Sequence, residues 1–180
     1  MKIYTKTGDT GETGLFDGTR TLKSNLRVDV YGTIDELNSY IGAIAAFELP
    51  EKDREVLLDI CKILFRAGTE LATPEENKLP ATFQKLSEIE IKFLEEQIDK
   101  YSELLPALKN FILPTGCFES AFVQIARTVC RRAERRVVEL EQNEKLNHSI
   151  VIILNRLSDF LFVFARYVNK FKGIDDTFWK

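Results

Sequence analysis

Apolar residues recur at helical spacing in five separate stretches of the chain. The first stretch begins after Thr33, which has Glu36 three residues later in a capping-box pattern, and it is expected to end near Glu48. The other four are expected at about residues 51–71, 87–105, 119–141 and 149–171, with proline-containing or polar segments between them. Five helices with short connections predict a single-domain, all-α five-helix bundle.

Residues 1–32 have a different pattern, because they hold five of the nine glycines in the chain. Threonines are interleaved with these glycines, and both residue types are poor helix formers. We therefore expect an extended, Gly/Thr-rich N-terminal arm at 1–32, a helical bundle at 33–172 and a short tail at 173–180. Phe178 and Trp179 in the tail are expected either to dock on the bundle or to cover a ligand.

Charge and composition narrow the classes of function. A net charge of −3 argues against nucleic-acid binding, and a hydrophobic fraction of 44% argues against a disordered chain. We expect no secretory signal, because the first twenty residues carry Gly, Asp and Thr rather than an apolar run, and no run approaches the ~20 apolar residues of a membrane span. We expect a protein of the cytoplasm or of an organelle matrix, with no membrane partner. His148 is the only histidine, which excludes a di-iron bundle with paired Glu-x-x-His motifs.

The segment from Thr5 to Gly14 has glycines spaced by hydroxyl residues, with Lys6 among them. Backbone N–H groups, threonine hydroxyls and a lysine charge are groups with which proteins bind phosphate. The spacing matches neither the P-loop nor the Rossmann motif. A flexible arm without a ligand therefore remains the alternative interpretation.

Five arginines lie within ten residues of the fourth predicted helix. Arg127, Arg131 and Arg135 are four residues apart and share a face, while Arg132 and Arg136 form a neighbouring stripe. Like charges at this spacing destabilise a helix unless they are neutralised. Either acidic partners lie on other helices, or the helix binds a polyanion through its guanidinium groups. The density of the cluster in an acidic protein favours the polyanion site.

Two further polar stretches have a structural and a functional interpretation. Asn155 interrupts the apolar fifth helix, where it either contacts a base or ribose or joins a polar network between helices. Asp35 and Glu36 suit the start of a helix electrostatically, which explains them without a ligand.

Taken together, these stretches resemble the trimeric ATP:cob(I)alamin adenosyltransferases. The matching residues, in the order of the family, are 3–9, 27, 31–32, 35–38, 105–106, 111–114, 126–136 and 155–159. The resemblance implies a five-helix bundle that assembles as a homotrimer with ATP between neighbouring subunits. It also implies transfer of the 5′-deoxyadenosyl group of ATP, accompanied by Mg²⁺, to the Co(I) centre of cob(I)alamin, with release of triphosphate.

The resemblance also implies roles for individual residues. The ATP-binding residues are expected to be Thr5, Lys6, Thr7, Gly8, Thr13, Gly14, Lys23, Arg131, Arg132, Ala133, Glu134, Arg135 and Asn155. Arg131 is expected to stabilise the leaving triphosphate. Phe111 matches the aromatic residue under the corrin that displaces the lower axial ligand, and Asp35 and Arg127 match a salt bridge across the subunit interface. A reductase and an adenosylcobalamin-dependent enzyme are the implied partners.

The chain departs from the family pattern around the expected corrinoid site. Thr115-Gly116-Cys117 follows the Leu-Pro where many relatives have Gly-Gly, Gln124 stands where many have His, and Gln97 where many have Trp. The ATP motifs are intact. The alternatives are therefore an inactive ATP-binding regulatory bundle of the same fold, or a helical scaffold with a basic docking face.

Overall fold

The computed structural model describes residues 2–75 and 78–179. In chain order the elements are β1 (Glu12–Gly14), β2 (Arg20–Leu22), α1 (Leu26–Ala45), α2 (Glu51–Leu71), α3 (Glu88–Ser102), α4 (Phe118–Glu141) and α5 (Ser149–Phe171). Helix α1 packs against α2 and α4, and α5 packs against α3 and α4. The predicted all-α five-helix bundle is confirmed. Within the described residues, none of the helices has the length and apolar character needed to cross a membrane.

Helix α1 begins earlier than the sequence pattern predicts. Asn25 caps it, because its side chain accepts a hydrogen bond from the backbone N–H of Arg27 at 2.8 Å. Thr33 lies inside the helix, where its hydroxyl donates to the carbonyl of Asp29 at 2.7 Å. The expected cap at Thr33 is therefore wrong, and the arm meets the bundle at residue 25 rather than at 32.

Packing of Arg27 explains the longer helix. Its side chain is buried, donates to the carbonyl oxygen of Leu71 at the end of α2, and forms an ion pair with Glu144 after α4. These contacts join the first turn of α1 to two other parts of the bundle. Tertiary contacts of this kind override the low helix propensity of Gly32 and Thr33.

The remaining helices are close to their predicted bounds. Helix α5 has the predicted bounds, and α4 begins one residue before the expected Glu119. Ser87 and Glu90 form a capping box at the start of α3, as two reciprocal hydrogen bonds between side chain and backbone. Helix α3 ends at Ser102, so the segment from residue 103 to 117 is irregular.

The core between α2, α3 and α5 contains a fully buried carboxylate. Asp53 accepts hydrogen bonds from the hydroxyls of Tyr101 at 2.7 Å and Tyr167 at 2.8 Å. Burial, with a further contribution from the bond to Asp53, raises the pKa of Tyr167 to about 12 and raises that of Tyr101 as well. The Tyr101 ring also makes edge contacts with Phe160 and Phe164. These contacts fix the C-terminal half of α5 against α2 and α3.

Candidate functional site

The arm forms a turn around Thr5, Lys6 and Thr7. The hydroxyls of Thr5 and Thr7 are hydrogen-bonded at 2.8 Å, and Arg20 donates to the carbonyl of Thr7 at 2.7 Å. Lys6 has a φ of 62°, in the left-handed region that residues other than glycine rarely adopt. Strained backbone of this kind is concentrated at ligand-binding sites. The conformation of Lys6 thus supports the phosphate-binding interpretation of the arm.

The hairpin that follows brings Lys23 back to the end of this turn. It pairs Glu12 with Leu22, Thr13 with Thr21 and Gly14 with Arg20. A Cβ atom at Gly8 would lie 3.2 Å from Nζ of Lys23, so the ammonium group lies directly against the glycine. The structure thus joins Gly8 and Lys23, which the sequence separates, into one basic turn with exposed threonine hydroxyls.

The arginines of α4 divide into two groups. Arg132 forms an ion pair with Glu36 of α1. Arg136 lies 3.0 Å from Oδ2 of Asp29, also on α1, and 2.8 Å from Oε2 of Glu139. This stripe therefore has the acidic partners, on a neighbouring turn and a neighbouring helix, that a structural interpretation requires. We accordingly expect Arg132 to stabilise the bundle rather than to bind ATP as the resemblance implies.

The other group faces away from these acids. Arg131 and Arg135 are exposed, and their side chains make no hydrogen bond or ion pair with any residue the structure describes. Arg127 donates to Oε1 of Gln124 at 2.6 Å. Burial, with a further contribution from the positive charge of Arg131, lowers the pKa of Arg127. Across residues 2–75 and 78–179, this face carries three guanidinium groups and no acidic partner.

Asn155 belongs to a polar network that joins three helices. Its amide nitrogen donates to Glu134 of α4 at 2.9 Å, and its amide oxygen accepts from Arg156 at 2.9 Å. Arg156 in turn donates to Glu95 of α3 at 2.8 Å. The expected neighbours Glu134 and Asn155 are therefore in contact. Ala133 is fully buried, so none of its atoms is exposed for contact with a ligand in this chain.

Phe111 lies in the irregular segment before α4, and its side chain is 84% exposed. This exposure excludes a role as a core aromatic residue. The backbone N–H of Trp179 donates to the carbonyl of Phe111 at 2.8 Å, and both residues line an open cleft of about 410 Å³. The tail therefore docks beside Phe111, while the rings of Phe178 and Trp179 remain exposed.

Asp35 is exposed on α1, at a cleft of about 280 Å³ between α1, α2 and the arm. Phe16 and Phe65, which line the same cleft, are 55% and 74% exposed. Within one chain Asp35 and Arg127 do not form an ion pair. The Asp35 carboxylate therefore stands apart from the half-buried Arg127 guanidinium, at a cleft that also exposes apolar rings.

The basic turn of the arm and the unpaired arginines of α4 can now be set beside a comparison with known families. Residues 3–168 match the family model described as cobalamin adenosyltransferase. The chain belongs to the cobalamin adenosyltransferase family.

Relatives in this family align along nearly all of the chain. The corrinoid adenosyltransferase of Bacillus subtilis (strain 168) is 49% identical over 182 residues, which cover 98% of this chain and 91% of that protein. The corrinoid adenosyltransferase MMAB of Homo sapiens is 43% identical over 181 residues, which cover 96% of this chain and 70% of that protein. The match therefore includes the arm, the bundle and the α4 arginines.

Solved structures of the family have the same fold. A variant PduO-type ATP:corrinoid adenosyltransferase from Lactobacillus reuteri, complexed with cobalamin and ATP, superposes with a TM-score of 0.93 at 38% identity and covers 99% of each chain. A second variant, complexed with ATP, superposes with a TM-score of 0.90 at the same identity.

The structure adds three residues to the candidate site of this adenosyltransferase family member that were not identified from its sequence. Arg20 holds the turn of the arm through the carbonyl of Thr7. Arg166 and Asn169 are buried polar residues near the end of α5, and both contact the segment around Phe111. The sequence signal that could have identified Arg166 and Asn169 is that two polar residues stand three apart on the otherwise apolar stripe of α5. No local pattern marks Arg20, because its partner is thirteen residues away.

Proposed function

We propose that the chain transfers the 5′-deoxyadenosyl group of ATP to the Co(I) centre of a reduced corrinoid, cob(I)alamin. The cobalt–carbon bond forms as the bond between C5′ and its oxygen breaks, and triphosphate leaves with the electron pair. The observation that carries this proposal is the unpaired state of Arg131 and Arg135, on a helix that pairs Arg132 and Arg136 with acids. The named activities of relatives along nearly the whole chain favour catalysis over an inactive ATP-binding bundle.

In this proposal the arm binds the triphosphate of ATP. Its contributors are Thr5, Lys6, Thr7, Gly8, Thr13, Gly14 and Lys23. Hydroxyl and backbone N–H donors suit phosphate oxygens, and the ammonium group of Lys23 against Gly8 supplies charge at short range. The hydrogen bond from Arg20 to the carbonyl of Thr7 supports this role, because it orders the turn before a ligand binds.

Arg131 and Arg135 act on the leaving group, and Glu134 and Asn155 act on the nucleoside. Triphosphate gains negative charge as the C5′–O bond breaks, and preorganised guanidinium groups stabilise charge that develops in a transition state. Co(I) is itself a strong nucleophile, so no side chain has to act as a general base. The contribution of the protein is orientation of C5′ towards cobalt, which can supply much of the rate enhancement.

Phe111 acts on the corrinoid. An exposed aromatic ring at the edge of an open cleft can lie against the lower face of the corrin and displace the axial ligand there. A four-coordinate Co(II) corrinoid accepts an electron more readily than a five-coordinate one, and this assists formation of Co(I). The exposure of Phe111 supports this role, because a ring committed to the core could not reach a ligand.

Mg²⁺ fits this site as a companion of ATP. Among the described residues there is no group of three or more His, Cys, Asp or Glu side chains placed to hold a metal ion. Mg²⁺ prefers oxygen ligands and is commonly bound through substrate phosphates and water. The triphosphate would supply those oxygens, and the ion would neutralise part of the charge that the arm and the α4 arginines contact.

The functional unit in this proposal is a homotrimer, with ATP between the arm of one subunit and α4 of the next. Arg127 is half-buried beside Arg131, and within the described chain it has only the neutral Gln124 as a partner. An exposed carboxylate at Asp35 of an adjacent subunit would offset that charge. The exposed Phe16 and Phe65 near Asp35 support burial of this surface on assembly.

Light scattering coupled to size-exclusion chromatography tests the assembly. We expect a mass of three chains, and Asp35→Arg should shift the distribution towards smaller species because it opposes Arg127 with like charge. Glu96→Arg, which changes an exposed acid on α3 away from the arm, α1 and α4, is the matched control. A stable and fully active monomer would contradict the trimer.

Formation of the light-sensitive cobalt–carbon bond tests the function directly. Purified protein, ATP, Mg²⁺ and chemically reduced cob(I)alamin should yield one adenosylcorrinoid and one triphosphate per turnover. ATP that protects the protein against thermal unfolding without product formation would establish the inactive ATP-binding alternative. Absence of both effects would leave only a helical scaffold with a basic docking face.

The chemistry also defines the reactions on either side. A one-electron reductase must supply Co(I), and an adenosylcorrinoid-dependent enzyme must consume the product. We expect the protein to work in the cytoplasm, since a reducing compartment suits both a Co(I) substrate and the free thiols of Cys61, Cys117 and Cys130.

A further inference from the structure

The irregular segment that carries Phe111 is held from one side by the end of α5. Arg166 is buried, donates through Nε to Oδ2 of Asp176 at 2.7 Å, and donates through a terminal nitrogen to the carbonyl of Pro106 at 2.9 Å. The two side chains of this ion pair are 8% and 10% exposed. Arg166 therefore links the tail to the segment that begins after α3.

The tail in turn runs antiparallel beside Phe111. Ile112 and Phe178 form a β-bridge. The N–H of Leu113 donates to the carbonyl of Thr177 at 2.8 Å, and the N–H of Trp179 donates to the carbonyl of Phe111 at 2.8 Å. The backbone on both sides of Ile112 is thus fixed by the tail, and the tail is fixed by Asp176.

We propose that the Arg166–Asp176 ion pair positions Phe111 indirectly. The ion pair fixes the docked tail, and the tail in turn fixes the backbone that sets the direction of the Phe111 ring. The ring of Phe111 is 84% exposed, so few packing contacts of its own determine its direction. Its backbone determines that direction instead, and the hydrogen bonds from residues 177 and 179 constrain that backbone. This inference rests on the proposed function of Phe111 at the corrinoid.

A separate contact holds the other end of the segment, so loss of the ion pair should not release the whole segment. Asn169 accepts a hydrogen bond from the N–H of Cys117 at 3.0 Å and donates to the carbonyl of Thr115 at 3.0 Å. The start of α4 remains anchored by these bonds when Asp176 is changed. The effect of breaking the ion pair should therefore be local to the tail and Phe111.

The test is Asp176→Asn, with Glu90→Gln as the matched control. Glu90 forms an ion pair with Arg66 at 2.7 Å, and its side chain is also 10% exposed, but it lies at the other end of α3. Both variants should lower Tm. Only Asp176→Asn should reduce the amplitude of the four-coordinate Co(II) signal formed with ATP. It should also slow the reaction from Co(II) by about tenfold, since small misplacements of an active-site group can cost that much in rate or more.

Kinetic separation sharpens the test. Asp176→Asn should raise the KM for Co(II) corrinoid in the reductase-coupled reaction or lower its kcat, and leave the Kd of ATP and turnover of preformed Co(I) near the wild-type values. Asp176→Glu should partly restore the Co(II) signal. Arg166→Lys should resemble Asp176→Asn, because an ammonium group cannot reproduce the planar fork that contacts both Asp176 and Pro106.

The experiment distinguishes failure of the proposed function from failure of the proposed positioning role. If wild-type protein forms no adenosylcorrinoid from preformed Co(I), the proposed function fails, whatever the variants do. If the wild type is active and Asp176→Asn retains the full Co(II) signal, or if Glu90→Gln loses it equally, the positioning role of the ion pair is wrong while the function stands.

Discussion

Arg131 and Arg132 are consecutive residues of α4, but they belong to two surfaces with opposite character. Arg132 and Arg136 face α1 and meet the carboxylates of Glu36 and Asp29. Arg131 and Arg135 face outward and have no acidic partner among the described residues. The difference shows that a basic cluster in a sequence can contain two groups of side chains. One group pairs with carboxylates of neighbouring helices, and the other is available to a ligand.

The largest effect should follow from removing an available arginine. Arg131→Ala should weaken ATP binding tenfold or more, because a charge-assisted hydrogen bond is worth roughly 1.5–3 kcal/mol, and should lower kcat as well. Tm should stay near the wild-type value, since removal of Arg131 breaks no internal ion pair and relieves repulsion with Arg127. Isothermal titration with ATP and steady-state kinetics measure both effects. Unchanged affinity with full activity would remove Arg131 from the site.

An intermediate effect should follow from truncating Phe111. This exposed phenylalanine is available to a ligand, as Arg131 is, whereas the buried phenylalanines stabilise the fold. Phe111→Ala should leave Tm and ATP affinity near wild type, and should slow the reaction from Co(II) far more than the reaction from preformed Co(I). Phe164→Ala is the matched variant, because Phe164 is fully buried and truncation there typically costs about 3–5 kcal/mol of stability. A four-coordinate Co(II) signal of wild-type amplitude in Phe111→Ala would show that this ring does not clear the lower face.

The smallest effect should follow from removing a paired arginine. Arg132→Ala breaks a surface ion pair whose side chains are 46% and 43% exposed, and such pairs contribute no more than ~1 kcal/mol. The free energy of unfolding should therefore fall slightly, and ATP affinity should change by less than about twofold. A denaturant titration and an ATP titration provide the comparison with Arg131→Ala. Equal losses of ATP affinity in both variants would contradict the division of α4 into two surfaces.

The sequence predicted the bounds of α2 and α5 well from apolar periodicity alone. It misplaced the start of α1, because the decisive contacts of Arg27 are with residues at the ends of two other helices. Helical spacing correctly separated the α4 arginines into two stripes, but which stripe is paired with acids was unpredictable for a similar reason. It depends on which α1 carboxylates face α4 in the folded bundle, and this is a property of packing rather than of local sequence.

The local pattern alone would place Phe111 in the core, since a Phe-Ile-Leu run is ordinarily part of one, and only the family resemblance pointed to an exposed ring. In the structure this run pairs with the docked tail at the surface of the bundle, and its first side chain, the ring of Phe111, is exposed. The exposed glycines and threonines of the arm were visible in the sequence, whereas the contact between Gly8 and Lys23 required the hairpin.

The turn that Asn169 anchors limits how this chain can vary during evolution. Gly116 has a φ of 132°, which side-chain-bearing residues rarely adopt, and a Cβ there would overlap the carboxamide of Asn169. Replacement of Gly116 alone would therefore displace the amide that bonds to Thr115 and Cys117. Positions 116 and 169 should consequently change together among descendants of this sequence, as a linked pair that drifts slowly while the exposed residues around it diverge.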